Sequence, residues 1–220
     1  MNLLMIKWSF SGLKQFINCP KQYNEVKVLQ NFKTKVSTQM QYGTEVHKAL
    51  EEYARDHIPL APHYKKFKSL VDVLLEIPGE KYIEYKMALT ADKEPCEFDS
   101  PDYWVRGIVD LMIVDNDTAF VVDYKTGSNK YPDPKQLKLM ALMTFAHFPK
   151  VRCVKGGLLF VAKNSFLPDD YLSSKQDEYW REFAPDLMRL ELSFKTNHWQ
   201  PNPSPLCRWC PVTTCDFHKD

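Results

Sequence analysis

Two carboxylates and an ammonium stand at the ends of two short apolar runs. Asp110 lies within Gly107-Ile-Val-Asp-Leu-Met-Ile-Val114, and Asp123 and Lys125 close Ala119-Phe-Val-Val-Asp-Tyr-Lys125. Charges set in such oily sequence are costly to bury unless they pair with one another or with a metal. Two converging carboxylates make a hard oxygen site suited to Mg2+ or Mn2+. A lysine beside them polarises a water or steadies a developing anion. These are the parts of a phosphodiester-cutting centre, although a structural ion pair at the mouth of a hairpin would use the same residues. A second group closes the chain: Cys207-Arg-Trp-Cys210-Pro-Val-Thr-Thr-Cys215 has ligand spacing rather than core usage. His218 would complete a local Cys-Cys-Cys-His set for zinc, and the early Cys19 would instead supply a fourth thiolate for a [4Fe–4S] cluster. Spacing alone does not choose between them.

The elements that must position these residues follow from periodicity. The polar turn Asp115-Asn116-Asp117-Thr118 joins the two apolar runs into a hairpin of buried strands. Strands are expected over 81–89, 103–114, 119–125 and 153–162, and helices over 9–17, 38–55, 62–76, 135–148 and 173–194. Pro185 should kink or split the last helix. Lys130-Tyr-Pro-Asp-Pro134 reads as a turn, and Cys19-Pro20 ends the first helix. The order describes an α/β fold, a mixed central sheet flanked by helices. It is read as a single domain over 1–220, with a helical part at 1–78, a core sheet at 79–163, and a helix plus cysteine-rich tail at 164–220. The tail, rich in proline and without periodicity, needs something to pin it.

A length of 220 residues suffices for a proper core, and 44% hydrophobic with 26% charged residues is ordinary globular composition. A net charge of +1 announces no global attraction to nucleic acid, though acidic metal ligands offset basic phosphate contacts in a nuclease cleft. The opening residues are too short for a secretory signal, and no apolar run reaches membrane-span length. A cytoplasmic protein (of a cell, or of a host if viral) without a disulfide frame is expected. Lys14, Lys21, Lys33, Lys35, Lys163 and Lys175 are candidates to line a strand-binding groove, with Tyr23, Trp104 or Trp209 stacking bases.

Five segments carry a family resemblance. Gly107-Ile-Val-Asp110, followed by Val-Val-Asp123-Tyr-Lys125-Thr-Gly127, resembles the core motif of the PD-(D/E)xK nucleases, closest to their RecB-like exonuclease branch. Gly43-Thr-Glu-Val-His47, Gln136-Leu137 and Cys19-Pro20-Lys-Gln-Tyr23 resemble three further motifs of that branch. With the late cysteines, the chain resembles the iron–sulfur subgroup that includes the AddB nuclease domain and the small CRISPR-associated RecB-like exonucleases. The resemblance runs from about Ser9 to Cys215, with one departure: Met140 stands where the branch has an aromatic.

The resemblance implies a restriction-endonuclease-like core and a metal-dependent DNA exonuclease that prefers single-stranded or free ends, with 5′→3′ polarity. It implies His47, Asp110, Asp123 and the backbone carbonyl of Tyr124 as ligands of Mg2+ or Mn2+. Lys125 would act on the attacking water, Glu84 near the metal or its waters, and Gln136 on the lysine, a water or the phosphate. Glu51, one turn beyond His47, is placed to orient its ring. Cys19, Cys207, Cys210 and Cys215 would bind a [4Fe–4S] cluster, zinc being the alternative. Competing expectations are a structure-specific endonuclease or end-trimming subunit, and a non-catalytic DNA-binding module. Partners implied are DNA and proteins of recombination, repair, replication or CRISPR adaptation.

Overall fold

The expected hairpin forms from β3 (Val105–Asp115) and β4 (Thr118–Lys125), which pair antiparallel about the Asn116 turn. Asn116 sits at φ +53, the left-handed conformation that asparagine tolerates in tight turns. The computed structural model describes residues 6–34, 36–128 and 133–219, so Lys35 and most of the turn expected at 130–134 lie outside the described residues. β1 (Glu80–Leu89) adds antiparallel to β3 and carries the short β2 (Pro95–Cys96) on its outer edge. α5 (Lys135–His147) crosses over from β4 to β5 (Cys153–Phe160), which pairs parallel to β4 as a crossover connection requires. β6 (Ser165–Leu172) closes the order β2-β1-β3-β4-β5-β6. The mixed sheet flanked by helices is therefore as expected.

Alternation along the strands separates two faces. Leu111, Ile113, Val122 and Tyr124 form one buried cluster with Val46 and Leu50 of α3 (Thr38–Asp56) and Val71 of α4 (Lys68–Leu75). On the opposite face Thr144 of α5 bonds to Met112 Sδ, and Met140 lies where a side chain on Gly107 would collide. A Cβ on Gly107 would approach Met140 Cε to 2.6 Å. That contact explains what Met140 does in place of the expected aromatic: it fills the core under β3.

The chain divides into two compact units, one of residues 37–179 and one of residues 1–36 with 180–220. The first holds the sheet. The second is built on α1 (Phe10–Asn18), capped by the Ser9 side chain, and α2 (Pro20–Tyr23), which passes into a π-helical turn, Asn24–Val28. It also takes the later part of α6 (Gln176–Thr196), where the Phe183 ring packs tilted against Trp8 at 5.8 Å.

Three sequence expectations change. Pro185 does not split the last helix, which runs on through it for 21 residues in all. The segment after residue 164 begins with a strand, β6, hidden by its charges and Pro168, which a sheet edge tolerates. Tyr23 is buried between Phe16 and Trp199 at 5.8 and 6.1 Å, so it is not a base-stacking residue.

Candidate metal centre and cysteine clasp

The sheet is irregular where its acids sit. The β3–β4 ladder runs in register up to Leu111↔Val122 and stops before Asp110 and Asp123, the next facing residues. Tyr124 then donates its backbone N–H to Asp110 Oδ2 at 2.6 Å. A carboxylate has replaced a ladder carbonyl, and the strands open around it.

β1 breaks at the matching point. Its pairing with β3 skips only Glu84, opposite Asp110, and resumes without a slip in register. Glu84 has φ +49, a conformation that costs a non-glycine residue about 1–3 kcal/mol. The kink also reverses the alternation of the strand. Tyr82 and Tyr85, three residues apart, both lie against Phe148 at 5.1 and 5.9 Å, while Ile83 packs on the α3 face. Arg55 of α3 holds the bend, donating to the Ile83 carbonyl at 2.7 Å and to Glu51 at 2.5 Å.

α3 brings the histidine. A Cβ on Gly43 would lie 3.1 Å from Thr126 Oγ1, so glycine lets the helix close onto the end of β4. One turn later His47 Nδ1 reaches Asp110 Oδ1 at 3.3 Å. Its carboxylate partner is thus Asp110, not the Glu51 expected from helical spacing, because Glu51 is engaged by Arg55. Donor atoms of His47, Glu84 and Asp110 all lie within 4.8 Å of one another, the one such group of three among the described residues.

Asp123 stands beside that group and is buried. Lys125 Nζ meets its Oδ2 at 2.5 Å, and Gln136 of α5 donates to its Oδ1 at 2.6 Å. Lys125 also donates to Gln136 Oε1 at 2.8 Å, which closes a triangle of three side chains. The Tyr124 ring points to the other face, into the core beside His47, at 6.0 Å between ring centres.

These contacts set the proton affinities. Burial, then the charges of Asp110 and Glu51, push Glu84 up to about 7 against the opposing pull of His47 and Arg55. Burial and then Asp110 raise Asp123 well above the usual carboxylate range, with Lys125 and His47 opposing. Burial alone would lower His47, but its hydrogen bond to Asp110 and the charges of Asp110, Asp123 and Glu84 leave it raised. Burial is the larger cause at both acids, and the repulsion among Asp110, Asp123 and Glu84 that adds to it is what a cation would relieve.

The sequence named every side chain here except Arg55. An acidic residue four positions before an arginine on a helix is common surface pairing, so nothing marked it.

In the other unit Cys19, Cys207, Cys210 and Cys215 line one hollow, shared with His218 and Phe217. Cys19 caps α2, its sulfur accepting N–H groups from Gln22 and, across 183 residues, from Asn202, each at 3.5 Å. Asn202 also donates to the Asn18 carbonyl at 2.9 Å, which ties the tail to the end of α1. Ser204 donates to Cys207 Sγ at 3.3 Å. Burial, with the neighbouring Cys19, Cys207 and Cys215, pushes the Cys210 thiol up. Cys96 and Cys153 sit apart, on β2 and β5.

Acids at an opened seam of a mixed sheet, with a lysine two residues on, define a nuclease-type fold. The chain belongs to the PD-(D/E)XK nuclease superfamily, whose sequence model matches residues 7–215. No curated protein matches the sequence. Among solved structures it is similar to a candidate exonuclease from Eubacterium rectale, at 14% identity and a TM-score of 0.51, covering 96% of this chain and 86% of that one. It is also similar to the structure named SSO0001, at 13% identity and a TM-score of 0.41, covering 97% and 87%.

Proposed function

We propose that this chain is a divalent-metal-dependent deoxyribonuclease of the RecB-like branch, degrading single-stranded DNA from its ends with 5′→3′ polarity. The observation that carries this reading is the convergence of His47, Glu84 and Asp110 donors within 4.8 Å beside the Asp123–Lys125–Gln136 triangle. An imidazole with carboxylates suits Mn2+ or Mg2+, so the donors present fit such an ion. Bound there, the ion supplies Lewis acidity toward water and the phosphate oxygens. His47, Glu84 and Asp110 would hold it, with Asp123 and the Tyr124 carbonyl as further ligands. The Tyr124 N–H fixes one Asp110 oxygen and leaves the other directed at His47. Lys125 orients the attacking water and steadies charge developing on the phosphate. Gln136 keeps Lys125 and Asp123 from swinging apart.

For the cysteines the reading is a structural [4Fe–4S] cluster on Cys19, Cys207, Cys210 and Cys215. Tetrahedral zinc, with bonds of about 2.3 Å, draws its sulfurs to about 3.8 Å from one another. A [4Fe–4S] cluster takes one thiolate per iron, and the four cysteines that line this hollow supply that number.

End-labelled linear and circular single-stranded DNA, with Mg2+ or Mn2+, test the activity. The linear strand should shorten from its 5′ end, the circle should persist, and Asp110→Ala should leave both intact. A cut circle would establish an endonuclease instead. DNA untouched by the wild type, or an active Asp110→Ala, would sink the proposal. Protein purified without oxygen should be brown and contain iron and acid-labile sulfide; a colourless, zinc-loaded protein would overturn the cluster.

A further inference from the structure

Trp209 has a position that neither the metal centre nor the cysteine hollow explains. Of the five tryptophans it is the one with an exposed ring, at 63% accessibility. It ends a short 3-10 turn, Pro205–Trp209, whose first residues are capped by the Ser204 side chain. The Cys210 N–H bonds to the Cys207 carbonyl at 3.1 Å, so the ring stands on a backbone fixed on both sides. The Arg208 guanidinium carbon lies 3.9 Å from the centre of the ring. An exposed indole held this way, with a cation on one face, offers a flat apolar surface beside a positive charge.

The surrounding unit has the matching charge. Residues 1–36 and 180–220 carry eleven Lys and Arg against six Asp and Glu, an excess of five positive charges. Residues 37–179 carry eighteen against twenty-two, an excess of four negative charges. The net charge of +1 therefore conceals a basic unit that holds Trp209 and an acidic unit that holds the metal centre.

We propose that Trp209, backed by Arg208, is a stacking site for a base of single-stranded DNA on this basic unit. A base has a π-face for the indole, and the phosphates of the strand suit Arg208 and the positive excess of this unit; base–aromatic stacking tolerates any sequence. An apolar protein partner would use the ring but gain nothing from the positive excess. The proposal rests on DNA being the substrate.

Binding without turnover separates the two claims. Fluorescence anisotropy of labelled (dT)12 in metal-free buffer should show tight, salt-dependent binding by the wild type. Trp209→Ala should weaken it about tenfold, Trp209→Phe should retain most of it, and Trp209→Leu, which keeps apolar bulk but no π-face, should behave like Ala. A backbone of the same length carrying abasic residues supplies the control. Removing the bases should cost the wild type about tenfold more than it costs Trp209→Ala. An exposed ring contributes little to folding, so the melting temperatures of the variants should match. Equal base penalties in wild type and Trp209→Ala, or Leu binding as well as Phe, would overturn the stacking site and leave the nuclease reading standing. No binding of either oligonucleotide would overturn both.

Discussion

Glu84 is the side chain through which pH should act most directly on the metal centre. Its carboxyl is pushed up to about 7 by burial and the neighbouring acids, and a cation must displace that proton to bind. Affinity for Mn2+ should therefore rise with pH through neutrality. Between pH 6 and pH 8 the gain from Glu84 alone is about tenfold, and His47, also raised, adds to it in the same direction. Calorimetric titration of Mn2+ at the two pH values checks this; Glu84→Gln should bind more weakly and lose the roughly tenfold share that Glu84 contributes, keeping the share of His47. Lys125 makes a second prediction at this scale. Lys125→Met should lower the rate of DNA cleavage by about 100-fold or more, the usual cost of losing one charged group at a reacting centre. It also leaves the Asp123 carboxylate buried without its ammonium, which is destabilising while Asp123 is ionised. The variant's loss in melting temperature should thus be larger at pH 8 than at pH 6. An equal loss at both would mean that the 2.5 Å ion pair contributes nothing to folding.

At the scale of elements, the centre depends on a strand being bent and a helix lying close. β1 keeps its register with β3 on both sides of Glu84, so the bend is a local deformation of one residue. Arg55 opposes its relaxation by binding the Ile83 carbonyl, and Glu51 holds Arg55. Arg55→Ala should let Glu84 return toward ordinary strand geometry and turn its carboxylate away from His47 and Asp110. Mn2+ affinity and cleavage should both fall several-fold, while the melting temperature rises or holds, since strain is released. Arg55→Lys, which restores one donor, should recover part of the affinity. A variant that binds Mn2+ normally would show that the bend is set by the sheet alone. The lesson about legibility also belongs here. Apolar runs of eight to eleven residues made β3, β4 and β5 plain in the sequence. β6 was not plain, because an edge strand with one open face tolerates Asp169, Asp170 and Pro168 and so lacks the buried signature.

For the whole molecule, the cysteine hollow joins the beginning of the chain to its end. The Cys19–Asn202 contact closes 183 residues. A covalent or metal bridge over a loop of that size removes about 5 kcal/mol of unfolded-state entropy in the loop-closure account. Cys19→Ser and Cys207→Ser should accordingly lose the brown colour and lower the melting transition of residues 1–36 with 180–220. The candidate metal centre belongs to residues 37–179, so the Mn2+ binding proposed for it should persist in both variants at temperatures below that transition. Coincident loss of colour and Mn2+ binding would show that the two units fold as one. Among the described residues no helix is long and apolar enough to cross a membrane.

The sequence by itself singled out the residues of the candidate site. Asp110, Asp123, Lys125, His47 and Gln136 were legible because charge within apolar runs is expensive and because their motifs follow one another in a known order. The cysteines were legible from spacing. The tertiary structure decided how these groups meet, since approach across the sheet depends on backbone deformations that no local pattern encodes. Glu84 was legible only as an acid on a strand; its bend at φ +49 puts it with His47 and Asp110. Asp123, expected with them, is held by Lys125 and Gln136 at the edge of the group. Arg55 had no signal at all, because its partner is a backbone carbonyl 28 residues away.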